Sequence, residues 1–166
     1  MHEIIVLRRR IRLLIVFFML ALVASGLTAS FPLEAELGLL DRAVGEGSAV
    51  EAWLPSLARW ISYVHDGVTQ TYSQYPFMAY GTDWLAFAHI VIAVAFIGPL
   101  RDPVKNVWVI EFGMIACLLV IPLALICGPM RGIPWFWCLV DCSFGIFGVV
   151  PLLITRRYIK RLEALQ

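Results

Sequence analysis

The chain has 166 residues, 61% of them hydrophobic and only 15% charged, with a mean hydropathy of +0.84. A soluble domain of this size is nearer half apolar and about a quarter charged, so an ordinary water-soluble enzyme or nucleic-acid-binding domain is excluded. The net charge of +1 conceals an asymmetry that orients the chain. Of the 13 Lys and Arg, Arg8, Arg9, Arg10, Arg12, Arg101, Lys105, Arg156, Arg157, Lys160 and Arg161 fall on one side of the apolar segments. Only Arg42, Arg59 and Arg131 fall on the other, with most of the acids. By the positive-inside rule both termini and the 101–105 loop are expected in the cytoplasm. The basic ends are expected to touch anionic lipid headgroups.

A membrane-crossing helix needs about 20 predominantly apolar residues. Four segments meet this requirement, at about 11–30, 83–100, 106–127 and 134–155. The expected fold is therefore all-α, a single polytopic membrane domain built as a bundle of four transmembrane helices. The first segment has a second reading. Its Arg-rich start, the apolar run LLIVFFMLALVA and the small residues of SGLTAS also fit a cleaved secretory signal. Its length and basic cluster favour a retained anchor.

Residues 31–82 form the one substantial loop. Pro32 is expected to open a short helix through LEAELGLLDRAV, with Glu34 and Glu36 in its first turn, where acids complement the helix dipole. The stretch Gly45-Glu46-Gly47-Ser48 ends it. A second helix is expected from Pro55, since proline is tolerated in a first turn. It is amphipathic: Leu57, Trp60, Ile61, Val64, Val68 and Tyr72 recur at helical spacing, while Arg59, Ser62, Asp66 and Thr69 fall largely opposite. Such a helix lies along the membrane surface or caps the bundle. Tyr75-Pro76 ends it, and Thr82 or Asp83 is the expected cap of the second span.

The remaining loops, GPLRDPVK and GPMRGIP, are short enough to make spans two, three and four antiparallel neighbours. Pro122 and Pro151 are expected to kink spans three and four and to free a carbonyl in each. Asp141, Gly145 and Gly148 share one face of span four, a small-residue stripe that permits close helix approach.

Two acids lie within apolar spans, Glu111 and Asp141. A charge there is costly and is expected to face protein and to find a partner. An Arg stands ten residues before each, Arg101 before Glu111 and Arg131 before Asp141. The expected pairs are Arg101–Glu111, a structural ion pair fixing hairpin register, and Arg131–Asp141. Helical rise places Glu111 about 8 Å from one end of its span and Asp141 about 10 Å from the opposite end of its own. His89 lies about 9 Å deep at the level of Asp141. It suits a hydrogen bond to Asp141 or to a freed carbonyl, a proton relay with Asp141, or haem ligation with His65. The candidate polar site is thus His89, Asp141 and Arg131. Asp141 is the favoured functional acid and Glu111 a latch.

The cysteines, Cys117, Cys127, Cys138 and Cys142, all fall within spans and form no C-x-x-C pair. They read as small apolar side chains, which argues against membrane thiol-oxidase chemistry and against a metal site. No phosphate-binding, dinucleotide-binding or hydrolase motif is present. Asp83-Trp84 and Trp135-Phe136-Trp137 read as interfacial belt anchors rather than a ligand cage.

The strings FPLEAEL, YGTDWLAFAH, GPLRDPVKNVWVIEFGMIAC and RGIPWFWCLVDCSFGIFGVVPL resemble those of a small family of bacterial four-span inner-membrane proteins with no assigned activity. The resemblance covers nearly the whole chain from residue 31. It implies a four-span inner-membrane protein and carries over no catalytic residue. The expected function is that of a non-enzymatic accessory or assembly module, with no resident cofactor, that contacts lipid and either another membrane protein or a second copy of itself. The alternative is proton handling, or binding of a haem- or quinone-type cofactor, through His89, Asp141 and Glu111.

Overall fold

The computed structural model describes residues 2–30 and 33–166. Among these residues all regular structure is helical: α1 (His2–Ala29), α2 (Leu33–Val44), α3 (Pro55–Gln74), a 3₁₀ turn (Pro76–Ala79), α4 (Tyr80–Ala95), α5 (Ile97–Arg101), α6 (Val107–Met130) and α7 (Trp135–Glu163). Four stretches are long and apolar enough to cross a membrane: His2–Ala29, Pro76–Arg101, Val107–Met130 and Trp135–Glu163. At most 28% of the most apolar window of any of them is buried, so most of this apolar surface faces outward, as helices in a lipid solvent do. The chain is an all-α, multi-pass membrane protein.

The helices overrun the apolar segments from which they are read. α1 includes Arg8, Arg9, Arg10 and Arg12, and α7 continues through Arg156, Arg157, Lys160 and Arg161. Hydropathy marks where hydrocarbon ends, whereas a helix ends only where its hydrogen bonds stop. Pro32, the expected opener of α2, lies outside the described residues, but α2 itself covers the expected stretch. α3 begins at Pro55 and ends at Gln74, as its proline and Tyr75-Pro76 imply. The cap expected at Thr82 or Asp83 does not occur. The 3₁₀ turn runs directly into α4 at Tyr80, and the Thr82 hydroxyl donates back to the Ala79 carbonyl at 2.7 Å.

The second span is interrupted where Pro99 dictates. With no N–H, Pro99 cannot bond the carbonyl of Ala95, and its ring crowds that carbonyl. α4 accordingly ends at Ala95, and α5 starts two residues later. Pro122 has a milder effect: α6 is helical on both sides of it, and the Cys142 thiol approaches the neighbouring Ile121 carbonyl at 3.9 Å. In α7 the Thr155 hydroxyl donates to the carbonyl of Pro151 at 2.7 Å.

The chain divides into two compact units, Met1–Ala21 with Ile92–Gln166, and Leu22–Val91. The first is organised around the α6–α7 hairpin. Cys138, Cys142, Gly145, Leu152, Thr155, Ile159 and Leu162 are buried along α7, at steps of three, four or seven that keep one seam turned to neighbouring helices. Glycines set the closeness of approach. A Cβ at Gly145 would run into the carbonyl oxygen of Cys117, and one at Gly148 would lie 2.9 Å from the Cys117 sulfur. At Gly113 it would lie 2.8 Å from the Phe96 ring and 3.0 Å from Leu152. Phe96 is fully buried and packs on Phe18 with ring centroids 4.9 Å apart. Leu7, Ile11 and Ile15 complete this core from α1.

In the second unit α2 packs on α3, burying Ala58 and Ile61. The end of α1 lies against the start of α4. Gly26 permits this, because a Cβ there would come within 3.0 Å of the Ala86 carbonyl oxygen and 2.9 Å of His89 Cβ. The Ser30 hydroxyl ties the same pair by donating to Asp83 at 2.6 Å.

Candidate functional site

The first unit holds both acids of the spans, in different circumstances. Glu111 accepts a hydrogen bond from Arg156 Nε at 2.7 Å. The expected pairing with Arg101 is therefore corrected: the cation comes from α7. The packing register explains why. Gly113 lies at Leu152, Cys117 at Gly145 and Gly148, and Ile121 at Cys142. Continuing that antiparallel register brings position 111 to the turn of α7 that holds Arg156. Arg101 is exposed in the last turn of α5. The connecting segment is held by Asn106, whose amide donates to the carbonyls of Gly98 and Asp102. Beside this pair, Arg161 bonds Glu3 at 2.5 Å, and the Arg10 guanidinium lies 5.9 Å from the centre of the Tyr158 ring. The basic end of the unit is thus laced together from α1, α6 and α7.

Asp141 has no cation within ion-pairing distance among the described residues. The expected Arg131–Asp141 bridge is not formed. Both residues line one open concavity of ≈ 230 Å³ on the α6–α7 hairpin, with Val120, Leu123, Ala124 and Cys127 as its apolar wall. The separation follows from the hairpin. Arg131 is exposed just past the end of α6, while Asp141 lies nearly two turns into α7, about 10 Å below its start. Ten residues apart in sequence, the two are at different depths.

Three of the four cysteines lie at or beside the packing seam, whereas Cys127 is exposed and lines the concavity that holds Asp141. Cys138 and Cys142 are buried, Cys117 is partly buried beside Gly145 and Gly148, and all four are free thiols. No group of three His, Cys, Asp or Glu residues poised to hold a metal occurs among the described residues.

In the second unit His89 makes its ring contact within its own helix. Nδ1 lies 2.8 Å from the Leu85 carbonyl. A carbonyl only accepts, so Nδ1 carries the proton, and Nε2 is the remaining acceptor when the ring is neutral. The Cβ of His89 faces Gly26. His89 is thus engaged by its own α4 backbone and packs on α1.

A polar cluster in the second unit is missing from the sequence reading. Asp41 accepts a hydrogen bond from the Ser62 hydroxyl at 2.5 Å and lies 3.4 Å from His65 Nδ1. The Ser62 oxygen also accepts from the Glu46 N–H at 2.9 Å, and Asp66 lies 3.9 Å from the same His65 nitrogen. Ser62, expected on the polar outer side of α3, faces α2 instead. These three residue types also make hydrolase triads, but the connectivity here is different. A nucleophilic serine must give its proton to the histidine, and this one gives it to the aspartate. The arrangement clamps the α2–α3 hairpin. Gly45 makes room for it, since a Cβ there would overlap Asp41 and the Ser62 hydroxyl. The one available signal was positional: His65 and Ser62 are three residues apart on a helix, and an acid stands in the preceding helix.

No family model matches the chain, and comparison with curated proteins and with solved structures gives no significant match.

Proposed function

We propose that this chain is a non-enzymatic accessory or assembly module of the bacterial inner membrane, with both termini and the 101–105 loop in the cytoplasm. The observation that carries this reading is the state of Asp141. A carboxylate at span depth, facing an open and largely apolar concavity and unpaired with the Arg131 that also lines it, suits a surface completed by another membrane component. The other intramembrane polar groups are committed within their own units, Glu111 to Arg156 and His89 to the Leu85 carbonyl. The ten-to-three distribution of basic residues supports the orientation. Retention of the first segment is supported by the buried Leu7, Ile11, Ile15 and Phe18, since cleavage would remove four core side chains.

The unpaired Asp141 also favours one competing reading, a proton- or cofactor-handling site. One preparation separates the two. The full chain is purified in mild detergent, alone and as Asp141→Asn, and its oligomeric state, co-purifying proteins, intact mass and absorption spectrum are measured. An assembly role predicts a defined complex that the substitution dissolves without lowering the melting temperature of the chain itself. A Soret band, a bound quinone, or a complex unchanged by Asp141→Asn would overturn it.

A further inference from the structure

The start of α4 carries an exposed face of which the fold uses one Asp83 oxygen, through Ser30, and the proposed function uses nothing. Tyr80, Asp83, Trp84 and Phe87 occupy positions i, i+3, i+4 and i+7 and so share one side of the helix. The three rings form a stack, Tyr80 edge-on to Trp84 with centroids 5.9 Å apart and Trp84 edge-on to Phe87 at 5.7 Å. Tyr80 is 61% exposed, Trp84 57% and Phe87 56%, so the stack stands clear of the core. Together with Asp83 they line an open concavity of ≈ 270 Å³. The carboxylate is held in place: Ser30 donates to one oxygen at 2.6 Å, leaving the other unclaimed by any protein cation among the described residues.

Belt aromatics alone need no acid. The comparable Trp135-Phe136-Trp137 cluster, at the start of α7, contains none. A carboxylate among exposed rings disfavours a purely apolar neighbour and an anionic one, and it favours a cation. Ring faces attract cations as well, most strongly at Trp. The site lies in the first turns of a span-length stretch, Pro76–Arg101, which is about 39 Å long by helical rise against a hydrocarbon core of about 30 Å. Its first turns therefore reach the headgroup layer, where the abundant cation is the lipid ammonium group. We propose that the Tyr80–Asp83–Trp84–Phe87 face binds the ammonium headgroup of a zwitterionic phospholipid, with Asp83 as counter-charge and Trp84 as the principal ring.

The test uses the purified, delipidated full chain, titrated separately with phosphatidylethanolamine and with phosphatidylglycerol of the same acyl chains, and read by native mass spectrometry. Asp83→Asn is expected to weaken phosphatidylethanolamine retention about tenfold, the scale of one favourable charge contact with a cation–π contribution. Retention of phosphatidylglycerol, which the basic end of the chain attracts, is expected to stay within twofold. Tyr80→Leu/Trp84→Leu, at two exposed positions outside the core, is expected to lower phosphatidylethanolamine retention several-fold and provides the test should Asp83→Asn not fold. The proposal is overturned if neither variant changes phosphatidylethanolamine retention more than twofold. It is equally overturned if both lipids are lost together.

Discussion

Replacing Arg156 by Met should destabilise the α6–α7 hairpin more than replacing its partner does. The difference follows from geometry and side-chain length. Arg156 Nε lies 2.7 Å from Glu111 Oε1, with the two side chains 34% and 41% exposed. Breaking a fully buried pair by removing one member costs about 3–5 kcal/mol. Partial exposure reduces that, so Arg156→Met is expected to cost about 2 kcal/mol, because the short Glu111 carboxylate has no route out of the span. Glu111→Gln should cost about 1 kcal/mol, since a freed Arg can extend toward the nearby basic end and keep its charge solvated. The double variant should cost about 1–1.5 kcal/mol less than the two single costs combined. That coupling exceeds the average interhelical hydrogen bond in a membrane, about 0.6 kcal/mol, as befits a charge-assisted contact. The assay is a double-mutant cycle by denaturant unfolding in bicelles, with Arg101→Gln as control and expected within about 0.5 kcal/mol of wild type. Additive single costs, or an Arg101→Gln cost equal to that of Arg156→Met, would rule out Arg156 as the energetic partner of Glu111.

Two further substitutions probe the packing. Gly145→Ala, whose methyl would meet the Cys117 backbone carbonyl, should lower stability by about 2 kcal/mol in the same unfolding assay. Gly148→Ala meets a movable thiol, with the Phe18 ring at ordinary contact distance, and should cost under about 1 kcal/mol. In the second unit Asp41→Ala removes the acceptor of the Ser62 hydroxyl proton and the nearer of the two acids beside His65. It is expected to cost about 1–2 kcal/mol and to raise amide hydrogen exchange in α2.

The hydropathy pattern by itself determined that the chain carries segments long and apolar enough to cross a membrane, and roughly where they lie, because an apolar run of that length is poorly accommodated by water. Punctuation residues located most of the rest: Pro55 and Pro76 bracket α3, and Gly45 to Ser48 end α2. The glycine face of α7 was also legible, since i, i+3, i+4 spacing is geometry that a sequence carries. The pairing of charges was not. Ten residues upstream is a fact about the chain, whereas the partner of Glu111 is set by which turn of α7 lies across the seam. That register is decided by Gly113, Gly145 and Gly148 fitting against Leu152 and Cys117, contacts between residues far apart in sequence. For the same reason Ser62 turns inward to meet Asp41, whereas Arg131 and Asp141 differ in depth simply because the hairpin leaves one past the end of α6 and the other nearly two turns into α7. Local chemistry fixes which segments become helices and which residues are expensive in a bilayer. Only the close approach of those helices decides which expensive residues are paired and which, like Asp141, remain open.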